Sequence, residues 1–193
     1  MDESGSMNSV QHDIINSLNH LVAEQRDIKD KPASLSLLKF NSNHNIRYVY
    51  QNSPIETIGP MTISDYSPNG NTALYDAIGR VLDDFSSVKN VLLVIVTDGQ
   101  ENDSHTYSQQ TISSRLDTYK NTLGWSFVYI SSDQSTSKQG YGLGFNDSSF
   151  SCNMVPKCGT RGFSSQLHSV SNALSANRAE GANVQSFLRS HAV

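Results

Sequence analysis

The chain has 193 residues, 36% of them hydrophobic, with a formal net charge of −4 and a sequence pI near 5.8. That length suits one domain with a sizeable core, and the compact apolar runs exclude a wholly disordered chain. An acidic balance with no Lys/Arg cluster excludes a non-specific nucleic-acid or anionic-membrane binder, and the longest apolar run, Val91 to Val96, is too short to span a bilayer.

The opening Met1-Asp2-Glu3-Ser4 is acidic and polar, unlike a secretory signal, so a cytoplasmic location is expected. Val10, Ile14, Leu18 and Leu21 then recur at helical spacing, predicting a first helix from about Ser6 to Asp27. Leu35 to Phe40 reads as a short buried strand, and Ile46 to Gln51 as a second strand after a turn-rich Asn41-Ser42-Asn43. The segment from Asn52 to Asn71 holds three prolines and two glycines and reads as a connection with little regular structure. From Thr72, Leu74, Ile78, Val81, Leu82 and Phe85 line one helical face. Asn90 to Thr97 follows, apolar on both alternating faces, as in a central parallel strand covered by helices on both sides.

A helix carrying Ile112, Leu116, Tyr119 and Leu123 ends at Gly124, which is placed as a left-handed cap. Trp125 to Ile130 is the next strand, and its alternating Trp125, Phe127 and Tyr129 read as core packing rather than a binding face. A Gly- and Ser-rich stretch to about residue 149 reads as a loop, including Gly140-x-Gly142-x-Gly144, which lacks the strand and helix of a dinucleotide fingerprint. A weak strand near Phe150 to Val155 and a helix with Leu167, Val170 and Leu174 complete the pattern. Residues 1–193 form one domain in this reading, with about 178–193 as a tail or a short helix around Val184 to Leu188. Cys152 and Cys158, with five residues between them, match no zinc pattern; they read as ordinary thiols, with a local disulfide as the minority case. The strand–helix alternation predicts an α/β sandwich with a mostly parallel sheet.

Three segments lie where such folds build their sites, at loops joining strands to helices. They are Asp2-Glu3-Ser4-Gly5-Ser6-Met7, Asn69-Gly70-Asn71-Thr72-Ala73-Leu74 and Thr97-Asp98-Gly99-Gln100-Glu101-Asn102. Taken singly, Ser4, Ser6 and Thr72 read as helix caps and Asp98 as a solvated strand end. Taken together, Asp2, Ser4, Ser6, Thr72 and Asp98 make an all-oxygen set suited to Mg²⁺, with Mn²⁺ or Ca²⁺ as alternatives. The absence of His and Cys from the set disfavours zinc or copper there. Glu3, Glu101 and Asp103 read as solvated acids on the rim.

In residue type, order and approximate spacing, Asp2-x-Ser4-x-Ser6, Thr72 and Asp98-Gly99 resemble the metal-ion-dependent adhesion site of von Willebrand factor type A domains. The segments SGSM and PNGNTALYDAIG (Pro68 to Gly79) look like small bacterial and phage members of that family, and the element order is similar over nearly the whole chain. The resemblance implies a doubly wound, mostly parallel sheet flanked by helices, with Ile46 to Gln51 as an antiparallel edge strand. It also implies cation-dependent binding of a protein partner, without catalysis. Hydroxyl ligands, with the Asp groups acting through water, would leave the ion under-neutralised and ready for one more carboxylate, an Asp or Glu of the partner.

In that family a hydrophobic strand runs into the first Asp, whereas here only Met1 precedes Asp2. The strands at Leu35 to Phe40 and Asn90 to Thr97 are therefore expected to face each other across a gap. A longer reading frame, another chain or a rearranged strand would fill it. Two other function classes are weighed. A metal-dependent hydrolase or phosphoryl-transfer enzyme lacks a phosphate loop, a G-x-S-x-G elbow or a second carboxylate pair here. The six histidines (His12, His20, His44, His105, His168 and His191) are scattered in polar settings and read as surface residues. A structural subunit with a vestigial metal site is disfavoured by the intact ligand set.

Overall fold

The computed structural model describes residues 1–131, 134–145, 151–154 and 162–180. Within them the protein is a mixed α/β structure in which helices and strands alternate. A single 3-10 segment, Gly5–Val10, leads into α1 (Gln11–Asp27); β1 (Ser34–Phe40) and β2 (Ile46–Pro54) follow, then α2 (Leu74–Asp84) and β3 (Leu92–Thr97). The second half contains α3 (Gln109–Leu123), β4 (Ser126–Ser131), α4 (Gln134–Gly142), β5 (Ser151–Met154) and α5 (Gly162–Glu180). Among the described residues, no helix is long and apolar enough to cross a membrane.

β1 and β2 form an antiparallel pair, with irregular register between Leu35 and Leu38. β3, β4 and β5 form a parallel sheet in that order, with Leu92 opposite Ser126 and Thr97 opposite Ser131. The expected gap between β1 and β3 is bridged at its carboxyl end by residues 1–3. Asp2 forms a parallel bridge with Phe40, and its own N–H donates to Val96 O at 2.9 Å. Phe40 N–H donates to Met1 O at 3.2 Å, and Glu3 N–H to Phe40 O at 2.6 Å. Asp2 is thus clamped by both neighbouring strands. Further back, Val91 to Val94 stay only half-buried, short of the full cover expected for a central strand.

The alternation of strand side chains divides the interior into two cores. Val96, Val128 and Ile130 pack with Met7, Ile14, Val22, Phe163 and Val170, so α1 and α5 cover one face. Ile95, Phe127 and Tyr129 pack with Leu74, Ile78, Leu82, Ile112 and Leu116, so α2 and α3 cover the other. Each large apolar side chain wholly buried in this way contributes about 1.5–3 kcal/mol. Trp125, Phe127 and Tyr129 are all buried, and Trp125 Nε1 donates to Val88 O at 2.7 Å, so these aromatics pack the core. Gly124 has φ 68° and ends α3, the left-handed geometry that favours glycine.

Two segments differ from expectation. The connection after β2 contains two 3-10 turns, Ile55–Thr57 and Ile63–Asp65, and its Ile55, Ile58, Met61 and Tyr66 are buried beneath α1. The Gly- and Ser-rich stretch is not a loop throughout: it contains α4, in which Gly140 and Gly142 are helical residues, and buried Leu143 and Phe145 follow it. Burial against β4 and α3 outweighs the weak helix propensity of Gly and Ser. Cys158, and with it the question of thiols or a disulfide, and the tail beyond residue 180, including Val184 to Leu188, lie outside the described residues.

Candidate metal centre

Hydrogen bonds of the backbone, helped by the Asn102 side chain, stitch the three loops together. Gly5 N–H donates to Gly70 O at 3.1 Å and Asn69 N–H to Glu3 O at 2.9 Å, joining the first loop to the second. Asn102 N–H donates to Thr72 O at 3.0 Å and Thr72 N–H to Asn102 Oδ1 at 2.8 Å, joining the second to the third. Gly70 is required at its position, because φ is +72° and a β-carbon would lie 2.7 Å from Ser42 Oγ.

The structure brings all five predicted residues together. Asp2 Oδ1 accepts from Ser4 N–H at 2.8 Å, and Asp2 Oδ2 accepts from Thr97 Oγ1 at 2.6 Å. Ser4 Oγ lies 3.1 Å from Ser6 Oγ, and Ser6 Oγ donates to Asp98 Oδ1 at 2.5 Å. A β-carbon at Gly99 would lie 2.6 Å from Thr72 Oγ1, 3.2 Å from Ser4 Oγ and 3.3 Å from Asp2 Oδ2. The hydrogen of Gly99 therefore faces a point on which oxygens from two of the loops converge.

Asp2, Ser4 and Thr72 are buried, Asp98 is half-buried and Ser6 is exposed, so the cluster opens to solvent on the Ser6–Asp98 side. Burial raises the Asp2 carboxyl above its ordinary 3.8, against the opposing hydrogen bonds from Thr97 and Ser4. A buried carboxylate of this kind is costly without a cation nearby. Tyr66 is also buried; desolvation and the charges of Asp2, Glu3 and Asp98 raise its phenol, which keeps its proton and donates to Asp2 O. With donors that are all carboxylate or hydroxyl oxygens, the set fits a hard divalent ion and offers no soft ligand.

The three acids read as solvated rim residues have structural work instead. Glu3 is 1% exposed; its Oε1 lies 2.8 Å from Lys39 Nζ and accepts from Ser67 N–H at 2.9 Å, while its Oε2 lies 2.6 Å from Arg47 Nη2. Burial alone would raise its carboxyl, but the Lys39, Ser67 and Arg47 contacts outweigh that and hold it below the ordinary 4.5. Glu101 accepts N–H groups from Tyr75, Asp103 and Ser104 at 2.9, 2.9 and 2.7 Å, and so fixes the loop after β3 against the start of α2. Asp103 accepts from Asn43 N–H at 2.8 Å. These roles depend on chain segments that meet only in the fold, and no local pattern announces them.

For the same reason, four supporting residues went unread in the sequence: Thr97 and Tyr66, which hold Asp2; Asn102, which holds Thr72; and Asp76. The buried Asp76 carboxylate, in the first turn of α2, accepts N–H groups from His105, Thr106 and Tyr107 at 2.8, 3.0 and 2.8 Å. Thr97, Asn102 and Asp76 lie within the segments quoted above, and only Tyr66 lies outside them. Neither protein-family models nor curated proteins give a match to this sequence.

Proposed function

We propose that Asp2, Ser4, Ser6, Thr72 and Asp98 hold one divalent cation, Mg²⁺ in the first instance, and that this ion is the docking point for an Asp or Glu of a protein partner. In this reading the chain is a von Willebrand factor type A-like domain, with a doubly wound, mostly parallel sheet whose segments run β2, β1, residues 1–3, β3, β4, β5. The observation that carries it is the convergence of Thr72 Oγ1, Ser4 Oγ and Asp2 Oδ2 on the open face of Gly99. The Ser and Thr hydroxyls are neutral donors. Both Asp2 oxygens already accept hydrogen bonds, from Ser4 N–H and Thr97, which suits a carboxylate that steadies the ion through water. The bound ion would supply a positive centre with a free coordination position on the solvent side, where Ser6 and Asp98 form the rim.

Mn²⁺ with isotopically labelled acetate, the smallest carboxylate, tests the docking step. Electron–nuclear double resonance is expected to show hyperfine coupling from the acetate carbon to protein-bound Mn²⁺, and Thr72→Ala is expected to weaken both ion and acetate binding. Bound Mn²⁺ that never takes up acetate would end the docking reading while leaving the ion site intact.

A further inference from the structure

Away from the first cluster, α1 and α5 pack side by side and bring a histidine of α5 to a histidine and a glutamate of α1. His20 and Glu24 are one helical turn apart on α1, with His20 Nε2 3.1 Å from Glu24 Oε1. His168 arrives from α5. One ligand atom from each of the three lies within 4.8 Å of the others, and the two imidazole rings are stacked, with centroids 5.8 Å apart and planes at 27°.

We propose that His20, Glu24 and His168 form a second metal centre, for a borderline transition ion of the Zn²⁺ class, with its open coordination position facing the cleft between α1 and α5. Imidazole nitrogens suit such ions and do not suit Mg²⁺. Two histidines and one carboxylate are a set that zinc accepts while keeping a position for water or a ligand. At metal–ligand distances of about 2.0–2.2 Å, tetrahedral ligands sit roughly 3.3–3.5 Å apart. The His20–Glu24 separation is already close to that, and the His168 ligand atom, within 4.8 Å of the other two, has to move closer by roughly an ångström.

The carboxylate is also oriented from behind. Buried Ser171 on α5 donates its hydroxyl to Glu24 Oε2, leaving Oε1 turned toward the imidazoles. Ser171 is itself held: Gln25 Nε2 donates to Ser171 O at 3.0 Å and to its Oγ at 3.2 Å. Support of this kind from outside the ligand set is what orients metal-binding carboxylates. A helical His–Glu ion pair alone would require neither the second imidazole nor the serine clamp. The adjoining cleft, of about 310 Å³ and lined by Asp13, Asn16, Ser17 and Ser164 among others, leaves room for a water or small ligand.

Co²⁺ titrated in excess Mg²⁺ is the probe, because four- or five-coordinate cobalt absorbs visible light far more strongly than the hydrated ion. One equivalent is expected to produce the intense bands, and Zn²⁺ to abolish them by displacement. His20→Ala and His168→Ala, both at exposed positions, are expected to lose the bands while melting in EDTA like wild type. Ser171→Ala is expected to weaken affinity about 10–100-fold, and Asp98→Ala to leave the spectrum unchanged. Only the weak absorption of octahedral cobalt in wild type would overturn the proposal. So would bands that survive His168→Ala, which would reveal ordinary surface binding by α1, or bands lost in Asp98→Ala, which would place the ion in the other cluster.

Discussion

Replacing Glu3 with alanine is expected to lower the unfolding free energy by about 3–5 kcal/mol, the usual cost of breaking a buried ion pair on one side. Glu3 and Lys39 side chains are 1% and 5% exposed, so the substitution strands the Lys39 ammonium without its carboxylate. Arg47, at 45% exposed, regains water and contributes little to the loss. For a chain of this size the midpoint of thermal unfolding should fall by about 6–20 °C. Replacing both buried partners, as Glu3→Leu with Lys39→Met, should recover much of the loss, because no buried charge is then left unpaired.

The pH dependence follows from the direction of the shift. Glu3 is held below its ordinary 4.5, so its contribution is complete above that value and is lost as the pH falls through its lower folded-state value. The gap between wild type and Glu3→Ala should therefore narrow in strong acid. Urea unfolding at neutral and acid pH measures it. A loss below about 1 kcal/mol at neutral pH would mean that the pair is hydrated in solution.

Replacing Gly99 with alanine is expected to abolish the response to Mg²⁺ without removing any ligand. The added methyl would sit 2.6 Å from Thr72 Oγ1, a clash, and slightly inside van der Waals contact with Ser4 Oγ and Asp2 Oδ2, at 3.2 and 3.3 Å. Thr72 is buried and its backbone is tied to Asn102 at both N–H and O, so it has little freedom to withdraw. The methyl occupies the place proposed for the ion, and the crowding should cost about 1–3 kcal/mol of stability as well. Thermal unfolding with Mg²⁺ and with EDTA separates the two effects: the EDTA midpoint reports the crowding, and the difference between midpoints reports the ion. A Gly99→Ala protein that keeps the full Mg²⁺ response would remove the ion from this point.

Local pattern carried most of the element order. The 3.6-residue spacing of Ile14, Leu18 and Leu21 and the all-apolar run before Thr97 each answer to one element's own geometry. That the five candidate residues come together was legible because the loops that hold them have short motifs in chain order. Features that depend on pairs of distant segments were not. Nothing in Met1-Asp2-Glu3 says that these residues lie between β1 and β3, or that Glu3 meets Lys39 rather than water. His20 and His168 look like isolated surface histidines until α1 and α5 are packed together. The helix α4 reads as a loop in sequence because Gln134–Gly142 has two glycines and a Ser-Thr-Ser run, and its burial against β4 is a tertiary effect.

Asp98 and its neighbours are proposed to bind a divalent cation. Thermal unfolding of wild type and Asp98→Ala, each with millimolar Mg²⁺ and with EDTA, tests it most directly. A native-state ligand at a hundredfold excess over its dissociation constant stabilises by about 2.7 kcal/mol, or roughly 5–11 °C here. The expected result is a rise of that order in wild type and none in Asp98→Ala, with similar midpoints for the two proteins in EDTA. An equal rise in both proteins would place any Mg²⁺ elsewhere, and no rise in wild type would contradict the cation site itself.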